Sequence, residues 1–211
     1  MACAICGIRR PRRHCPGVSG DICSICCGTE REVTVSCPLD CEYLADARRH
    51  ERPEPLDVNQ VPNRDIEVSE SRLAEHEELL LAVGQAVVAA TFEEGAIDFD
   101  VREALEGLIR TYRTLASGLY YDSIPANPLA AGIFRQVQSA VTAFREDETR
   151  QAGMIRTRDR EVLEVLVFLQ RLEFDRNNGR KRGRAFVDFL RGLYPPSAVS
   201  SVRPASPLLL S

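Results

Sequence analysis

All eight cysteines of the chain fall between residues 3 and 41, and none follows. They stand as Cys3-x2-Cys6, Cys15, Cys23-x2-Cys26-Cys27 and Cys37-x3-Cys41. A C-x2-C pair sets two sulfurs on one tight turn, within reach of a single tetrahedral ion about 2.3 Å from each. Two such knuckles complete a four-thiolate site. The spacing therefore assigns Cys3, Cys6, Cys23 and Cys26 to one zinc ion and Cys15, Cys27, Cys37 and Cys41 to a second. Cys26 and Cys27 are neighbours whose side chains diverge, which sends them to different ions. Because the two sets interleave, two Zn2+ ions would tie a segment too short for a hydrophobic core into one unit, metal binding supplying the folding free energy. His14 and His50 are reserve ligands.

The rival use of eight cysteines is a disulfide framework, which needs an oxidising compartment. The opening residues, Met1-Ala2-Cys3-Ala4-Ile5-Cys6, lack the basic start and apolar run of a secretory signal. Structural zinc is preferred on this ground to disulfides, to a redox dithiol and to an iron–sulfur cluster. The expected compartment is the cytoplasm.

A leading C-x2-C, a middle C-x2-C and a closing C-x3-C that runs toward a helix resemble the cross-brace, treble-clef-like zinc fingers of the MYND and HIT classes. The closing element is Cys37-Pro38-Leu39-Asp40-Cys41, followed by Glu42-Tyr43-Leu44. Pro38 suits a first helical turn, which would stack Cys37 and Cys41 at i and i+4. Arg31 to Ser36, with Val33 and Val35 alternating against Thr34 and Ser36, reads as a strand of the hairpin before that helix. The resemblance covers residues 1–52, about a quarter of the chain. It implies a module used mostly for contact with other proteins.

With 211 residues, 44% apolar and 27% charged, the chain has room for such a finger and one ordinary globular core. No window approaches the 18 or so uninterrupted apolar residues of a membrane span. The net charge of −4 is unevenly spread: residues 53–150 are strongly acidic and residues 151–211 are basic. With eight thiolates and two divalent ions the finger is formally acidic, which argues against generic binding to a phosphate backbone. Arg9 to Arg13, a basic loop between knuckles, reads as solvated.

Residues 53–65, with Pro53, Pro55 and Pro62, read as a linker. From 66 to 195 the pattern is helical throughout. A first helix over 69–91 carries Leu73, His76, Leu80, Val83 and Val87 on one face. A second starts near Asp100 and Glu103 and lines up Val101, Leu105, Leu108, Tyr112, Leu115 and Leu119. The third opens at Asn127-Pro128, a cap followed by proline at the first helical position. The fourth, over 159–176, is apolar around most of its circumference and is expected at the centre, ending at Asn177-Asn178-Gly179. A short fifth helix carries Phe186, Phe189, Leu190 and Leu193 and stops at Pro195-Pro196. The predicted fold class is mainly α: an N-terminal zinc finger (1–52), the linker, a five-helix bundle or orthogonal helical array (66–195), and a mobile tail (196–211). The helical part has apolar stripe enough for its own core, so chelation is expected to unfold the finger and spare the helices.

No catalytic set is visible. His76 stands without a second histidine or matched carboxylate, and there is no Glu-x-x-His pair, His-Glu-x-x-His, phosphate loop or Gly-x-Ser-x-Gly elbow. A zinc enzyme would need an open coordination position. Tyr120 and Tyr121 lie in a turn-rich connection that is either a recognition loop or a plug for the end of the bundle. Arg176, Arg180, Lys181, Arg182 and Arg184 form the densest basic cluster, a candidate anion or nucleic-acid contact. The expected function is a non-enzymatic zinc protein that binds another protein as an adaptor, the alternative being a nucleic-acid-binding regulator that uses 9–13 and 176–184.

Overall fold

The computed structural model of the protein describes residues 2–51 and 57–194; the expected tail, 196–211, and the proline-bearing stretch 52–56 lie outside the described residues. Among the described residues are one two-stranded sheet and eight α-helices. The cysteine-rich part contributes β1 (Arg13–Cys15), β2 (Gly20–Ile22), α1 (Ser24–Glu30) and α2 (Glu42–His50). A 3-10 turn, Val58–Gln60, leads on. Then come α3 (Glu70–Glu75), α4 (Glu77–Glu94), α5 (Asp98–Ala116), α6 (Pro128–Ala152), α7 (Asp159–Arg176) and α8 (Ala185–Leu193). A mainly helical protein with a small cysteine-rich module at its amino end is thus what the pattern produces.

The hydrophobic core lies among α4, α5, α6, α7 and α8, with α5 against α6 and α7, and α4 against α6. Val101, Leu105 and Leu108 of α5, Ile133 and Val137 of α6, and Val162, Val165, Leu166 and Leu169 of α7 are all buried. Each such side chain contributes about 1.5–3 kcal/mol. α7, expected at the centre, packs chiefly on α5, with lesser contacts to α4 and α8; α5 is the helix that lies against α6, α7 and α8 together. The two buried carboxylates of α7 face outward partners: Glu164 takes Arg72 at 2.7 Å and Glu173 takes a bidentate Arg102 at 2.9 and 3.1 Å.

Four local expectations are revised. The helix expected over 69–91 is broken at His76, whose backbone (φ −113°, ψ 26°) separates α3 from α4; Leu79 rather than His76 enters the core, and His76 stays half-buried. α5 starts two residues earlier than its acidic pair suggested, with Asp100 accepting the Ile97 amide at 2.9 Å as the third residue of the helix. Leu119, placed on the α5 stripe, lies beyond the helix end and is 66% exposed. The second half of the expected linker is strapped down: Arg171 donates to the carbonyls of Pro62, Asn63 and Ile66, and Arg113 holds Asp65 and Asn63.

Asp98 sits at the start of α5 yet acts on α8. Its two carboxylate oxygens accept the amides of Phe186 and Val187 at 3.1 and 3.0 Å, satisfying donors that the first turn of α8 leaves unpaired. Burial pushes its carboxyl pKa upward, and the α8 amides work against that rise. Replacing it by alanine removes a buried cap. We expect Asp98→Ala to lower stability by about 1–2 kcal/mol in urea denaturation, with loss concentrated in α8.

Candidate metal centre

The first knuckle is a turn closed by Gly7 N donating to Cys3 O at 2.8 Å, with Gly7 in the left-handed region (φ 65°) that glycine adopts without penalty. It is pinned to β2 where Ala4 N donates to Asp21 O. The second knuckle is the start of α1: Cys23 is the N-cap, its sulfur accepting from the Cys26 amide at 3.4 Å, while its own amide donates to the Cys3 sulfur at 3.2 Å. The ligand atoms of Cys3, Cys6, Cys23 and Cys26 all lie within 4.8 Å of one another. Sulfurs on a tetrahedral zinc stand about 3.8 Å apart, so this group fits one ion after small adjustments. Cys3, Cys23 and Cys26 are buried and Cys6 half-buried.

Backbone amides, that of Cys6 foremost, hold the Cys3 thiol down to about 6, whereas burial and the neighbouring sulfurs push Cys26 up to about 12. Four thiolates cannot crowd together without a cation to neutralise them. The sulfurs of this group, that of Cys23 foremost, raise the pKa of the nearby Arg9.

The other four cysteines are drawn together more loosely. Cys15 ends β1, Cys27 lies in α1, and Cys37 and Cys41 bracket a turn. All four line one small cavity with Ile22, Leu44 and Tyr43. Among the described residues the first set alone converges closely enough to qualify directly as a metal-binding group. Around the second set the guanidiniums of Arg13 and Arg31 lie 3.5 and 3.7 Å from the Cys27 sulfur, and Arg13 also stacks 4.1 Å from the centre of the Tyr43 ring. Arg13 therefore faces Cys27 and Tyr43, while Arg9, Arg10 and Arg12 are exposed, as expected of a solvated loop.

Two further readings of this segment are corrected. The hairpin is β1 with β2, not the 31–36 stretch, because Glu32 takes a left-handed backbone (φ 54°) and Glu30 O accepts the amides of Val33, Thr34 and Val35. That makes a tight turn with only an isolated bridge between Arg31 and Val35. Cys37 and Cys41 do not stack on a helix either. Pro38 O accepts the Cys41 amide at 3.1 Å, forming a turn that leaves Cys41 as the N-cap of α2. The tip of the β1–β2 hairpin rests on this region at Gly17, where a Cβ would stand 2.7 Å from Ser36 O.

The reserve ligands lie apart from the first set. His14 is exposed and faces Asp21 at 3.2 Å, although it borders the second cavity; His50 is exposed and faces Asp46 at 3.8 Å. The basic cluster is largely committed within the chain. Arg180 donates to Arg31 O and Glu51, Arg182 to Ser36, and Arg184 to Gly95 O. Arg176 pairs with Asp175 and covers the Phe189 ring, while Lys181 is exposed beside a cleft lined by Asp98, Phe99 and Arg102. Sequence reasoning missed Glu32, which has 0% exposure. An isolated glutamate between two cysteine groups carries no signal of burial.

Tyr120 and Tyr121 are 84% and 67% exposed, with Leu119 and Ile124 exposed beside them. The loop that carries them is anchored where Ser123 N donates to Thr111 Oγ1 at 2.9 Å and Gln138 to Asp122 at 3.0 Å. The tyrosines do not plug the bundle.

No helix among the described residues is long and apolar enough to cross a membrane. Comparison with known protein families, with curated proteins and with solved structures finds no match. The likeness to MYND and HIT fingers rests on the cysteine pattern alone. Reconstitution with Co2+ in place of zinc should give the intense visible bands of a tetrahedral cobalt thiolate, and Cys23→Ser should remove at least half of that absorbance, read by titration in a spectrophotometer.

Proposed function

We propose that this protein is a non-enzymatic, cytoplasmic zinc protein that serves as a protein-interaction or adaptor module. The observation that carries the reading is the four-cysteine group at Cys3, Cys6, Cys23 and Cys26, whose burial favours a closed structural site over one with a position free for substrate. A second zinc ion on Cys15, Cys27, Cys37 and Cys41 completes an interleaved, cross-brace finger. Its support is the shared cavity and the positive charge of Arg13 and Arg31 beside Cys27. Thiolate sites of this kind persist in a reducing compartment.

The surface offered to a partner is the anchored loop with Leu119, Tyr120, Tyr121 and Ile124. Exposed tyrosines on a fixed backbone supply large contact area at low entropic cost, and such residues are enriched at interfaces. The nucleic-acid alternative is less well supported, since Arg180, Arg182 and Arg184 already donate to acceptors within the chain. Affinity capture of the full-length protein from its native cell, alongside the double variant Tyr120→Ala, Tyr121→Ala, tests the reading. The wild type should retain a specific protein that the variant loses while keeping its zinc. Retention on heparin with a steep salt dependence would instead favour the regulator.

A further inference from the structure

The loop that joins Cys27 to Cys37 is also where the finger meets the helices. At its turn Glu32 is fully buried, although φ 54° is a conformation that a non-glycine residue keeps only when its surroundings hold it. Its carboxylate accepts from Arg48 of α2 at 2.7 Å, from Asn178 at 2.8 Å and from the amide of Arg184 at 3.0 Å. Its carbonyl accepts the Arg182 amide at 2.8 Å. Arg48 reaches on to Asp188 of α8. On either side of Glu32, Arg31 O accepts from Arg180 and Ser36 Oγ from Arg182. Leu39, between Cys37 and Cys41, packs against the main helical core.

The first cysteine set belongs elsewhere. Cys3, Cys23 and Cys26 form a cluster with Ile22 that is separate from the helical core, with Cys15 and Cys27 packed against its edge. The ends of the Glu32 loop are held by Cys27 and Cys37, both of the second set.

We propose that the second metal site is a latch: a zinc ion on Cys15, Cys27, Cys37 and Cys41 closes the Glu32 loop and so holds the finger on the helical module. The proposal rests on the two-zinc reading above. Pinning both ends of the loop removes the conformational freedom that would otherwise oppose the strained turn at Glu32. Without the ion the loop relaxes, the carboxylate leaves its donors, and Arg48, Asn178 and the Arg184 amide lose their acceptor. The segment that leads into α8 then loosens. A chelator or thiol oxidant that reaches the second set releases the finger from α8 while the core of α5, α6 and α7 persists.

The test measures zinc per chain by native mass spectrometry and amide hydrogen exchange over 180–190 in the full-length protein and three variants. Cys37→Ser should carry one zinc ion instead of two, with exchange over 180–190 accelerated about tenfold or more. Cys6→Ser should also lose one ion, with a clearly smaller acceleration there. Glu32→Gln should keep both ions and still show the acceleration, since it removes the charge that Arg48 and the amide recognise. If Cys37→Ser keeps the zinc content of the wild type, the two-zinc reading fails and the latch with it. If it loses an ion and exchange stays at the wild-type rate, the latch alone is overturned. Equal or greater acceleration in Cys6→Ser overturns its assignment to the second set. Should both serine variants lose both ions, Glu32→Gln decides: unchanged exchange overturns the latch.

Discussion

A carboxylate with no access to water must find its donors inside the protein, and the position of Glu32 follows from that requirement. It stands on the finger, but two of its three carboxylate partners, Asn178 and the Arg184 amide, belong to the segment between α7 and α8. The third, Arg48, links α2 to Asp188 of α8. A buried ion pair of this kind adds little net stability over a well-packed apolar contact, but breaking it from one side leaves an uncompensated charge and costs about 3–5 kcal/mol. It thereby specifies one docking geometry. Arg180, Arg182 and Leu39 complete the same contact around it.

The finger's own stability has a different source. Apart from cysteines, its buried apolar side chains among the described residues are Ile22, Val35 and Leu44. Three such side chains fall well short of the conformational entropy of ordering some fifty residues. Ion coordination by the converging thiolates would fill that deficit, as it does for small metal domains in general. The helical part has its own continuous core across five helices.

Much of the helical part was legible because its signals are local. Asn127 followed by Pro128 starts α6, with Asn127 Oδ1 accepting the Leu129 amide at 3.1 Å, and the apolar run of 159–176 became α7 with the bounds the pattern suggested. The first cysteine set was legible for the same reason, since C-x2-C geometry is set by the turn itself. What stayed hidden depends on contacts across the chain. Alternating Val33 and Val35 look like a strand until Glu32 is pulled into the interface and forces a turn. The basic run after α7 looks like an anion site until Arg180 and Arg182 meet carbonyl and hydroxyl acceptors on the finger. Asp98 reads as one more surface acid, although it caps a helix nearly ninety residues away.

The central claim is that these cysteines are thiolate ligands of zinc, and not disulfide partners or free thiols. X-ray absorption at the zinc edge on full-length protein, purified without added metal, tests it most directly. The account predicts a first shell of four sulfurs at about 2.3 Å with no nitrogen or oxygen scatterer. A shell with oxygen or nitrogen at about 2.0 Å, or protein that carries no zinc and has its cysteines oxidised in pairs, would contradict it.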